Sequence, residues 1–194
     1  MTDESALNTH IASRVRALRG GLGLTLDSLA ERSGVSRSMI SAVERGETSP
    51  TAVLLERLAT GLNVTLAALF DRPNHNSSPV ARFADHPAWR DPASGYVRRN
   101  VSPAGFATPI QIVEVEMPPR AHVTYETGPR DACVHQQVWV FAGALTVTVG
   151  EVSHKLGEGD CLAFVLDRPT GFHNPTRQPT RYAVVIVSQP DYRK

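Results

Sequence analysis

Cys133 and Cys161 are the only thiols in the chain, and their spacing suits neither a zinc site nor a disulfide framework. Buried free thiols are expected, or a redox pair if two strands bring them together. His75 stands between Asn74 and Asn76 with no chemical partner nearby, which reads as a solvated histidine. Thr25 and Ser36 offer another chemistry. Each hydroxyl is of the type that accepts from an orphan backbone N–H at the start of a helix.

Two short helices must carry those hydroxyls. Leu26, Leu29, Ala30, Val35, Ile40 and Val43 recur at helical spacing and supply one apolar face. The first helix is expected from about Thr25 to Arg32, the turn at Ser33-Gly34-Val35, and the second helix from Ser36. Gly34 suits a turn position that needs positive φ. This is the signature of a helix-turn-helix, whose second helix can lie in the major groove of DNA. Upstream, Ile11, Val15 and Leu18 mark a helix from about Thr9 to Gly20, behind a polar, frayed stretch 1–8. Downstream, Gly46–Pro50 reads as a turn holding a capping residue. A helix from Thr51 to Gly61 and a short one from Leu66 to Phe70 complete a five-helix bundle.

The formal charge is +1 at pH 7, and acidic and basic side chains balance over residues 1–72. A protein that coats DNA regardless of sequence draws its affinity from phosphate neutralisation and needs a basic surface. The balance argues against coating and leaves specific reading open. Neither a signal-type apolar run nor one long enough to span a bilayer is present, so a soluble cytoplasmic protein with no membrane partner is expected. The segment DRPNHNSSPV, 71–80, reads as a linker. Residues 81–105 read as irregular chain or short strands packed against the strand-rich half. From Gln111 the period changes to two: Val113, Val115 and Met117 alternate with Glu114 and Glu116. Further strands are expected at Gln137–Phe141, Leu145–Val149, Cys161–Leu166 and Tyr182–Val187. Short strands at regular spacing predict a closed or sandwiched antiparallel fold.

The run from Arg16 to Phe70 resembles the lambda-repressor-like, or XRE-type, helix-turn-helix family. Leu29-Ala30, Gly34, Ser36, Ile40, Glu44, Gly46, Ser49-Pro50 and the closing Leu69-Phe70 carry the likeness. It implies phosphate contacts from Thr25, Ser36 and Thr48. It places Arg37, Ser38, Ser41 and Ala42 on the face that meets base edges, with Arg37 suited to bidentate contact with guanine. Arg19 and Glu44 correspond to a structural ion pair. Leu26 stands where several relatives carry a glutamine, which removes one phosphate contact. Read without the family, Ser36 is a helix cap and Arg37 a solvated arginine.

The pieces VWVFAGALTVTVG, HKLGEGDCLAF and DRPTGFHNP resemble a cupin, a double-stranded β-helix barrel. The implied fold is multi-domain, an α bundle followed by an all-β barrel. Residues 1–70 form the DNA-binding head, 71–104 a linker and packing segment, and 105–194 the barrel. Metal-binding cupins carry His and Glu at four positions. Counting from Gly143 and Asn174, this chain holds Gln136, Thr170 and either Arg130 with Ala132 or Pro129 with Asp131. His135 and His173 fall out of register, and one residue of displacement on a strand reverses the facing. No metal or other cofactor is therefore expected. By alternation, Gln136, Val138 and Val140 face the interior with Thr170, Phe172 and Asn174, and Tyr125 lines the mouth from a preceding loop. Gln136, Thr170 and Asn174 either orient a ligand or satisfy one another in a filled barrel.

A DNA-reading head on a ligand-sized barrel implies a ligand-responsive transcription regulator. It would act as a homodimer on double-stranded DNA with a palindromic operator, with a small-molecule effector in the barrel. Trp139 and Phe141 on the outer strand face are candidates for the dimer contact. No catalytic residues are expected. The alternatives are a cupin enzyme, dioxygenase- or isomerase-like, drawing on Tyr125, Glu126, His135 or His173, and a barrel that only dimerises.

Overall fold

The structure is a computed structural model that describes residues 2–71, 78–106, 108–126 and 132–190. Helices come first: α1 (Thr2–Gly21), α2 (Leu26–Ser33), α3 (Arg37–Glu44) and α4 (Ala52–Gly61). Leu7, Ile11 and Val15 recur every four residues, line one face of α1 and are buried. Leu7 in the core holds the first turns, so α1 begins ahead of the expected Thr9 and the stretch before it is helical.

Thr25 caps α2 by accepting from the Ser28 N–H at 3.0 Å, and Ser36 caps α3 by accepting from the Met39 N–H at 3.3 Å. Between them Gly34 adopts φ 65°, and its N–H donates to the Ala30 carbonyl at 2.9 Å. Thr51 caps α4, so Pro50 lies just outside that helix. The expected fifth helix is instead one 3₁₀ turn, Leu66–Leu69, capped by Thr65. Arg19 at the end of α1 grips Glu44 at the end of α3, with Nε–Oε1 at 2.7 Å and Nη2–Oε2 at 2.8 Å. α2 and α4 pack tightly at Gly61, where a Cβ would stand 2.8 Å from the Cβ of Ser33.

The strands are β1 (Ala88–Arg90), β2 (Val97–Asn100), β3 (Ile110–Met117), β4 (His122–Tyr125), β5 (Ala132–Ala142), β6 (Leu145–Val149), β7 (Val152–Leu156), β8 (Cys161–Val165), β9 (Thr170–His173) and β10 (Thr180–Pro190). One sheet runs β1-β2-β3-β10-β5-β8 and the other β4-β9-β6-β7. Every pairing is antiparallel. The sheets meet across a shared interior, where Phe172 of β9 stacks on Tyr182 of β10 with centroids 6.0 Å apart. This is the two-sheet arrangement expected of a cupin-like barrel. β1 pairs with β2 and β2 with β3, so the strand array starts at Ala88, inside the segment read as linker and packing chain.

Bundle and barrel share a core. Trp89 packs on Phe70 at 5.6 Å between centroids. Buried Asp91 accepts from the Ala52 N–H at 2.9 Å, which sets a carboxylate at the positive end of α4. The Asn100 amide donates to the Ala67 carbonyl at 3.2 Å, and the Thr65 hydroxyl donates to Gln111 at 2.6 Å. The 3₁₀ turn is therefore bonded on one side to β2 and on the other to β3.

Candidate nucleic-acid interface and barrel cavity

Burial of Ile40 and Val43 fixes which face of α3 turns outward. Ser36, Arg37, Ser38 and Met39 are exposed there, while Ser41 and Ala42 are half-buried further along. Arg37 Nε lies 3.3 Å from Asp27 Oδ1, with the side chains 66% and 71% exposed. A pair so open to water contributes little, so Arg37 is easily redirected to another acceptor. Arg45 donates to the Ser41 hydroxyl and pairs with Glu47 at 2.6 Å, holding that carboxyl below its ordinary range. Leu26, Arg37, Ser38, Ser41 and Arg45 line one shallow depression between α2 and α3. Thr25 is exposed at the start of α2, and Thr48 is half-buried in the turn after α3. Sequence reasoning missed Arg45 and Met39. Arg45 was findable, because it lies one turn beyond Ser41 and two beyond Arg37 on the same face.

Inside the barrel lies a cavity of about 60 Å³, room for roughly four waters or one small molecule. Both sheets contribute walls: Tyr125, Gln136, Thr170, Phe172, Tyr182 and Ile186 are among them. Tyr125 lies on β4 rather than on a loop. Its hydroxyl shares a hydrogen bond of 3.0 Å with that of Tyr96. Burial pushes the Tyr96 phenol up to about 12, and those of Tyr125 and Tyr182 upward too. At neutral pH all three therefore keep their protons.

Four of the seven residues expected to line this space do so: Tyr125, Gln136, Thr170 and Phe172. Val138 and Val140 face inward but are wholly buried in the side-chain core, away from the cavity wall. Asn174 is a loop staple instead of a pocket group. Its amide donates to the carbonyls of Met117, Pro118 and Gln178 at 3.2, 3.0 and 2.7 Å, and its oxygen accepts from Thr176. Both polar atoms of its side chain are already used in these bonds.

The bundle supplies the rest of the wall through Glu56 of α4, Thr65 and Leu66. Arg98 of β2 completes it, 7% exposed and with its guanidinium carbon 5.2 Å from the Phe70 ring centre. Sequence reasoning missed Glu56, Thr65 and Arg98. The inward positions of β2 are Arg98 and Asn100, both polar, so no hydrophobic period marked this strand.

His135 and His173 are exposed, on the side of their strands away from the cavity. Among the described residues, no three His, Cys, Asp or Glu side chains converge as metal ligands. His75, Pro129, Arg130 and Asp131 lie outside the described residues. The cysteines differ from expectation. Cys161 is exposed and Cys133 half-buried, its sulfur 3.4 Å from His135 Nε2. In register, Cys161 faces Trp139, six residues along β5 from Cys133, so roughly 20 Å of strand separates the thiols. Among the described residues, no helix is long and apolar enough to cross a membrane.

A helix-turn-helix head seated on an antiparallel barrel defines the class of this molecule. The family model HTH_3, Helix-turn-helix, matches residues 15–69. The HTH-type transcriptional regulator SutR of Escherichia coli (strain K12) is 37% identical over 70 residues, 36% of this chain and 39% of that protein. An uncharacterized HTH-type transcriptional regulator of Methanothermobacter thermautotrophicus is 48% identical over 48 residues, 25% of this chain and 70% of its own length. The crystal structure of an HTH_3 family transcriptional regulator from Vibrio cholerae matches 95% of this chain and 98% of its own, with TM-score 0.76 and 26% identity. The chain belongs to the family of HTH-type transcriptional regulators. It spans 39% of the length of the Escherichia coli relative.

Proposed function

We propose that this chain is a sequence-specific DNA-binding regulator of transcription, working in the cytoplasm, whose barrel senses a small molecule. The exposed face of α3 reads base edges through Arg37 and Ser38, with Ser41, Ala42 and Arg45 behind them. Thr25, Ser36 and Thr48 hold phosphates on either side. The observation that carries the sensing role is the composition of the cavity wall: Glu56, Thr65 and Leu66 come from the DNA-reading half. A ligand there touches both halves, so its binding energy differs between arrangements of head and barrel, as linkage requires.

One head of this size covers too little duplex for useful affinity, and a dimer reading an inverted repeat remedies that. Trp139, 49% exposed and edge-on to Phe141 at 4.9 Å, supports the outer face of the six-stranded sheet as the dimer contact. The barrel acts as a sensor with no catalytic role, a reading supported by buried phenols that stay protonated and so serve poorly as bases. Footprinting across the promoters adjoining the gene tests the reading. Protection of two half-sites about one helical turn apart is expected. No protected repeat under any salt condition would reject it.

A further inference from the structure

Arg98 sits where an arginine is costly, 7% exposed at the seam of bundle and barrel. Its Nε and Nη2 are buried without a hydrogen-bond partner among the described residues. These two atoms form one edge of the guanidinium, and the chain shows what that edge takes. Arg19 uses it on the Glu44 carboxylate at 2.7 and 2.8 Å, and Arg45 uses it on Glu47 at 2.6 and 2.7 Å. Asp71 lies near enough to feel the Arg98 charge, yet its Oδ2 accepts from Gln111 at 3.3 Å and it forms no ion pair with Arg98. A buried guanidinium is stable only when paired and hydrogen-bonded, and a planar carboxylate matches its fork better than any neutral group.

Glu56, which has a partner of its own, and the neutral polar groups Thr65, Gln136 and Thr170 also line the cavity, and its remaining walls set the body attached to that carboxylate. Val115, Val134, Phe172, Val184 and Ile186 offer apolar surface, and the volume excludes anything drug-sized. We propose that the effector is a small organic carboxylate, seated with its oxygens on the Nε/Nη2 edge of Arg98 and its apolar body against these walls. The proposal rests on the sensing role given above and names its ligand class. Phe70 underlies Arg98 and closes the 3₁₀ turn of the bundle, so a carboxylate drawn onto this side chain acts on a residue that both halves touch.

Thermal unfolding of the full chain in the presence of butanoate, 3-methylbutanoate and benzoate tests the proposal, with the matching amides and inorganic sulfate alongside. At least one acid should raise the midpoint by about 3 °C at millimolar concentration, with its amide and sulfate inert. Arg98→Met should abolish the shift, and Arg98→Lys should weaken it at least about tenfold in concentration, since a point charge lacks the fork. The acid–amide comparison on the unaltered protein stands even if a variant fails to fold. Equal shifts from acid and amide, a shift from sulfate alone, no shift from any acid, or a full response in Arg98→Met would each overturn it. An acid-specific shift in a protein that footprints no operator would uphold the ligand class while rejecting the regulator.

Discussion

Arg37 and Asp71 are each held by a balance that one substitution tips. Arg37 is lent to Asp27 across open solvent, so it has little hold on the fold. Arg37→Ala should cost about 1–3 kcal/mol of operator binding and relax the preference at one base position, with thermal stability unchanged. Fluorescence anisotropy against operator and scrambled duplexes measures both. At Asp71, burial raises the carboxyl above its ordinary range, and nearby Arg14, Arg98 and His10 only partly offset that. The folded state then binds more protons than the unfolded one between the two pKa values. Stability contributed by the neutral acid is present below the ordinary carboxyl range and falls as pH rises through the raised value. Asp71→Asn should flatten that decline and leave the protein more stable at neutral pH, read by urea unfolding between pH 4 and pH 7.

The packed elements set the tolerance of the head to change. α2 and α4 touch at Gly61 so closely that a methyl group would meet Ser33 at 2.8 Å. Gly61→Ala should cost about 1–3 kcal/mol, measured by denaturant unfolding, because both helices must part or shift to admit it. The same elements show what the sequence made legible. Thr25, Gly34 and Ser36 announced α2 and α3 to within a residue, because capping and left-handed turns are local chemistry. β3, β6 and β8 were legible from their apolar or alternating runs. β2 was not: its buried positions hold Arg98, which lines the cavity, and Asn100, which bonds the 3₁₀ turn, so it breaks the inside-apolar rule. Asn174 misled in the other direction. Its type suits a ligand contact, and only the surrounding carbonyls reveal that it serves a loop.

For the whole molecule, the proposed dimer contact on the sheet that carries Trp139 would set how two heads are spaced. On the neighbouring strand β8, Val165 is exposed too, in register with His135 and so four residues along β5 from Trp139. Trp139→Glu leaves the barrel core untouched, because the ring points outward. Sedimentation should then report a monomer, with binding to a full operator falling towards that of a half-site. A dimer that persists would move the contact to another face.

Asp91 belongs to the strand-rich half, yet it finishes the first turn of a helix in the DNA-reading half, and Trp89 is wedged against Phe70 beside it. A head severed at the linker would leave with a frayed α4 and an oily scar. Hybrids that graft this reader onto a foreign sensor should therefore carry residues 87–100 along as part of the graft.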